Sequence, residues 1–139
     1  MKWLNQRNEV INNKTIRKFD NLTMQMQSEN IILKKTIEFS LLTIEYVELL
    51  ESQKKFVIAN QLLKSATSIG ANVHEAQNAE SKQDFIHKFK IAAKEVEETK
   101  YWLVLCFESK NYPSSNHLIE KLHEIDKIIT KIISTSKNK

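Results

Sequence analysis

The chain has 139 residues, a formal net charge of +4 at pH 7, and only one Gly, one Pro and one Cys. That length suits one domain with a single core, and the scarcity of helix breakers beside abundant Lys, Glu, Leu and Ile points to an all-helical protein. One cysteine excludes an internal disulfide, and no apolar run reaches the roughly 18 residues of a membrane span or forms a leader-type core, so a soluble cytoplasmic protein is expected.

Residues 1–25 carry Lys2, Arg7, Lys14, Arg17 and Lys18 against Glu9 and Asp20, so +3 of the net charge sits here and the other 114 residues carry +1. The apolar residues of this stretch keep no sustained period, and its five asparagines are poor helix formers. It reads as a loosely ordered basic extension. The alternative is an arm that reaches a phosphate backbone with Arg7, Arg17 and Lys18, or grips a neighbouring subunit with Trp3, Leu4 and Phe19.

The first helix is predicted over about Glu29 to Leu50, followed by the connection Glu51-Ser52-Gln53-Lys54. Leu33, Ile37, Leu41 and Ile44 form one stripe, while Ile31, Phe39, Leu42, Tyr46 and Leu49 fall on the opposite side. A helix apolar on two sides is buried on two sides. One bundle core cannot cover both, so Phe39 and Leu42 are expected against the arm or another copy.

The second helix is predicted from about Lys55 to Gln77, with Ile58, Leu62, Ala66, Ile69, Val73 and Ala76 inward. Beside them runs a polar line of Ser65, Ser68, Asn72 and Glu75. Gly70, among the small residues Ala66, Ser68 and Ala71, is expected to let another helix approach closely. Ser81 and Asp84 form a Ser-x-x-Asp cap for a long third helix, about Lys82 to Asn111. Its main stripe is Phe85, Phe89, Ala92, Val96, Thr99, Leu103 and Phe107. Ile91, Glu95, Glu98, Trp102 and Leu105 lie on a flank, and Tyr101 on the back. An apolar flank of that kind on a lone subunit suggests burial between protomers. After Pro113 the fourth helix begins at Ser114 or Ser115 and runs to about Ser134, with Leu118, Leu122, Ile125, Ile129 and Ile132 inward. Residues 136–139 are expected to fray. Four helices with short connections favour an antiparallel up-down-up-down four-helix bundle over residues 26–135.

Catalytic and metal patterns are weak. A di-iron bundle needs Glu-x-x-His on two helices plus two more inward glutamates, yet the chain has one such spacing, Glu120 to His123, on the solvent side of its helix. His74, His87 and His117 belong to no zinc spacing and read as surface residues, and Cys106 reads as a small buried hydrophobe. No nucleophile elbow or phosphate loop is present, and the paired acids Glu95 and Glu98 read as salt-bridging or solvated. No enzyme, cofactor, metal or small-molecule substrate is therefore expected. The polar line reads as a hydrogen-bonded structural seam in preference to a ligand-binding one, with Glu98 counted in it from the third helix and Glu75 finding Lys94, Tyr101 or a helix end.

The segment SATSIGANVHEAQNAESKQDFIHKFKIAAKEVEETKYWL, residues 65–103, resembles the signature region of the four-helix-bundle proteins encoded in 23S rRNA intervening sequences. The matching features are Ser-Ile-Gly-Ala-Asn, Glu75, the Ser81…Asp84-Phe85 helix start, Ile91-Ala92…Lys94-Glu95…Glu98-Thr99 and Tyr101-Trp102-Leu103, and the similarity spans roughly residues 26–135. Ala76 stands where the family often has Gly, and Lys64 where relatives often have Arg. The chain is also similar to the bundle accessory protein of diversity-generating retroelements. The resemblance implies a homopentamer without established activity, and a link to nucleic acid, RNA or DNA. On that reading the contacts are Lys54, Lys55, Lys64, Lys82, Lys88, Lys90 and Lys94, with Arg7, Arg17 and Lys18 from the arm, and the interface is Phe39, Leu42, Ile91, Tyr101, Trp102 and Leu105. The near-neutral charge of the bundle favours the other reading, a scaffold for protein partners with no nucleic-acid role.

Overall fold

The computed structural model describes residues 15–18, 20 and 30–138, and no strand occurs among them. Helical residues 15–18 and 20 precede four long helices: α1 (Ile31–Ser52), α2 (Phe56–Ala76), α3 (Lys82–Glu108) and α4 (Asn116–Lys137). Each packs on two neighbours, and the residue pairs that meet run in opposite directions along the two helices. Asn30 reaches Gln77 while Thr36 lies against Gly70; Ser65 meets Thr99 while Glu75 meets Lys88. Ser115 bonds Leu103 and Asp126 bonds Lys100 between α3 and α4, and Tyr46 to Pro113 with Lys35 to Glu124 closes α1 onto α4.

Local chemistry sets the ends. The Asn30 side chain accepts from the Ile32 N–H at 3.2 Å and starts α1. The α1–α2 turn closes with Lys54 N–H to Glu51 O and Lys55 N–H to Leu50 O, both 2.9 Å, which puts Lys54 at φ 62°. That is the left-handed C′ position usually given to Gly. Ser81 Oγ caps α3 by accepting from the Asp84 N–H at 3.0 Å, as its spacing predicts. The return bond from Asp84 goes to the Glu80 N–H at 3.2 Å rather than to Ser81. α3 stops at Glu108, short of the expected Asn111, where the backbone turns extended at Ser109. α4 continues past Ser134 to Lys137, so Ser136 and Lys137, expected to fray, are helical.

The core on α1 differs from the expected stripes. Its buried face is Ile32, Leu33, Thr36, Phe39, Thr43, Tyr46, Val47 and Leu50. Thr36 and Thr43 lie at its centre, and their hydroxyls donate to Ile32 O (2.9 Å) and Phe39 O (2.8 Å) within the same helix. With those hydroxyls satisfied, threonine packs as an apolar residue. Ile37 is half-buried, and Leu41 and Ile44 face outward. On α3, Cys106 takes the core position expected for Phe107, which is exposed.

Gly70 sets the α1–α2 distance. A Cβ there would come within 3.2 Å of Thr36 Cβ, an atom fixed to its own backbone. Gly70→Val is expected to force α1 outward and to cost about 1–3 kcal/mol, read as a lower urea midpoint with unchanged slope. An unchanged midpoint would show that the two helices do not meet there.

Candidate nucleic-acid and self-association surfaces

The polar line on α2 splits into a buried part and a wet part. Ser65 is fully buried, and its Oγ accepts from Thr99 Oγ1 at 2.9 Å across the α2–α3 contact. Ser68 and Asn72 are half-buried and bond back along α2, to Lys64 O at 2.7 Å and Ser68 O at 2.8 Å. Glu75 is exposed and pairs with Lys88 at 3.3 Å, in place of the expected Lys94, Tyr101 or helix end. Glu98 is exposed too. The seam that joins α2 to α3 is thus Ser65 and Thr99, and its acids face water.

Glu95, on the same flank of α3, has its carboxyl pushed above the ordinary 4.5 by burial first and then by Glu98, with Lys64 acting against both. An acid whose pKa rises on folding stabilises the fold most below its unfolded pKa, and that contribution fades as pH climbs through the folded value. Glu95→Gln removes this loss. The variant is expected to melt higher than the parent at about pH 7, with the difference vanishing by about pH 4. A gap that is equal at both would contradict the raised pKa.

The expected interface residues separate. Phe39 is 1% exposed inside the core of a single subunit, so it is not available to a neighbour. Leu42, Ile91, Trp102 and Leu105 are half-buried, and Tyr101 is 58% exposed. Tyr101 and Trp102 stack edge to face, 5.1 Å between centroids. The Trp102 Nε1–H is buried and finds no acceptor among the described residues. Val104 and Phe107 are also exposed on α3, and on α1 Leu41 and Ile44 are exposed, Leu41 lining a cleft of about 230 Å³ between α1 and α2. Counting them with the core stripe hid Leu41, Ile44 and Phe107 in the sequence. His74 lines that cleft half-buried, not on the surface as expected, and its Nε2 has no partner among the described residues.

Among the proposed phosphate contacts, Lys54, Lys64, Lys82, Lys90 and Lys94 are exposed and Lys55 and Lys88 are half-buried. Lys88 alone of these pairs with an acid within 4.0 Å among the described residues. Lys55 Nζ lies 4.8 Å above the Tyr112 ring. Arg17 and Lys18 are exposed; Arg7, Trp3, Leu4 and Phe19 lie outside the described residues.

Glu120 and His123 face solvent, and no cluster of three or more His, Cys, Asp and Glu occurs among the described residues. Cys106 is buried, and burial raises its thiol pKa against a hydrogen bond with Tyr46 that lowers it. Burial likewise raises the Tyr46 phenol, whose hydroxyl donates to Pro113 O at 2.8 Å. Both groups therefore stay neutral, and the Tyr46 bond ties α1 to the α3–α4 loop. No described helix is long and apolar enough to cross a membrane.

Comparison with known proteins agrees with this architecture. The family described as 23S rRNA-intervening sequence protein matches residues 28–131. The chain is also similar to a crystal structure from Bacteroides thetaiotaomicron, described as a protein with unknown function from the S23 ribosomal protein family. The two share 38% identity at a TM-score of 0.70, over 73% of this chain and 97% of that one. No curated protein matches the chain. With a family match over most of its length and that relative beside it, this chain belongs to the 23S rRNA-intervening sequence protein family.

Proposed function

We propose that the protein is a non-enzymatic, cytoplasmic homo-oligomer, a pentamer by resemblance, that binds RNA on lysine-rich outer surfaces. One observation carries the nucleic-acid part: of the seven bundle lysines named as phosphate contacts, six stand clear of any described carboxylate by more than 4.0 Å. A lysine without an ion pair meets a phosphate without first breaking a bond, and repetition around an oligomer multiplies that attraction. The half-buried Trp102 stacked beside the exposed Tyr101 supports the oligomer, since an apolar flank left open on one subunit is covered when a second copy packs on it.

Titration with labelled RNA at low and high salt tests it. Binding that weakens steeply with salt is expected; no binding even at low salt overturns it. The exposed apolar face of Tyr101, Val104 and Phe107 favours a second reading, a scaffold for another polypeptide. Pull-down from a lysate with and without nuclease separates the two, because only a protein partner survives nuclease.

A further inference from the structure

At the end of the bundle where the α1–α2 turn meets the α3–α4 loop, Lys54, Lys55, Phe56, Val57, Ile58 and Tyr112 line a cleft of about 310 Å³. Phe56 is 59% exposed and Val57 76%, although both sit in the first turn of a long, well-packed helix. Nothing in the described core accounts for a phenyl ring held outward on so rigid a support. Tyr112, from the opposite loop, already carries a cation on its ring in Lys55, and Lys54 projects from the left-handed turn one residue earlier.

We propose that this cleft holds a single-stranded RNA segment, with a base stacked on Phe56 beside Tyr112 and the neighbouring phosphates met by Lys54 and Lys55. The inference rests on the RNA-binding reading above and gives it a place. Aromatic faces interleaved with lysines are what an unpaired strand needs. Every base has a π face to stack, and the backbone needs only positive charge, so recognition is tolerant of sequence. A duplex offers the phosphates but no free π face, because its bases are stacked on each other. Charge decides against a purely apolar occupant. A peptide knob filling this cleft would desolvate two ammonium groups without supplying anions, whereas phosphates on both sides of a stacked base leave Lys54 and Lys55 paired.

The probe is a fluorescent oligouridine, compared with an abasic strand of equal length and with an RNA duplex, at low salt. The parent is expected to prefer oligouridine to both. Phe56→Ala is expected to weaken oligouridine binding about five- to a hundredfold, with its salt dependence kept, and Phe56→Trp to retain it. Exposure of Phe56 makes both variants safe for the fold, and light scattering on each checks the assembly. Parent binding that Phe56→Ala leaves untouched overturns this site while the RNA reading stands. Equal affinity for the abasic strand overturns the stacking. No binding of oligouridine or duplex by the parent overturns both readings, and a loss of subunits in Phe56→Ala overturns the site by making the cleft a contact between copies.

Discussion

Phe39→Ala is expected to lower the free energy of unfolding by about 3–5 kcal/mol while leaving the number of subunits unchanged. The phenyl ring is 1% exposed, on the same α1 face as Thr36, Thr43 and Tyr46, and that face turns towards the bundle axis. Truncation removes most of a ring's transfer energy and leaves a hole that helices pinned at Gly70 and at Tyr46 to Pro113 cannot fill. Phe39→Leu keeps most of the volume and is expected to cost less. Urea unfolding at one fixed protein concentration measures both, since association contributes to apparent stability. A small stability loss with a clear drop in particle mass would place Phe39 between copies instead.

Trp102→Ala is expected to do the reverse, shifting the particle mass downward with a modest effect on the fold of each subunit. Truncating an interface tryptophan commonly costs about 2 kcal/mol or more per contact, which is tens-fold in an association constant. The ring is half-buried beside Tyr101, and its Nε1–H points at no acceptor among the described residues. A Trp102→Phe variant removes only the donor and part of the area, so its shift is expected to be smaller. An unchanged mass in Trp102→Ala would mean that this flank of α3 faces solvent or a different molecule.

Much of the fold was legible because its signals are local and periodic. The inward residues of α2 and α4 recur at helical spacing with nothing to compete, and the Ser81 cap and the close approach at Gly70 each follow from one residue's chemistry. The α1 stripe was misread for a physical reason. Its buried face is centred on Thr36 and Thr43, which look polar until their hydroxyls bond back to Ile32 and Phe39. Passing over them split one face into two and sent Phe39 to an interface. The same arithmetic placed Phe107 in the core, because position alone does not distinguish it from Cys106 one residue earlier.

The surfaces were less legible than the core. Periodicity says which side of a helix is apolar, but two turns brought together from distant parts of the chain leave no period. Phe56 and Tyr112 are 56 residues apart, and only the closed bundle puts them in one cleft. Glu75 failed in the opposite sense. The sequence offers it more than one partner, and the register of α2 against α3 selects Lys88 over Lys94.

Light scattering on the purified protein tests the central claim, that copies of this bundle cover one another's apolar flanks. The account predicts a particle of several 16.3 kDa subunits, five by resemblance, with Trp102 fluorescence that shifts when dilution separates them. A stable 16.3 kDa species at all concentrations, with Tyr101 and Trp102 open to quencher, would contradict it.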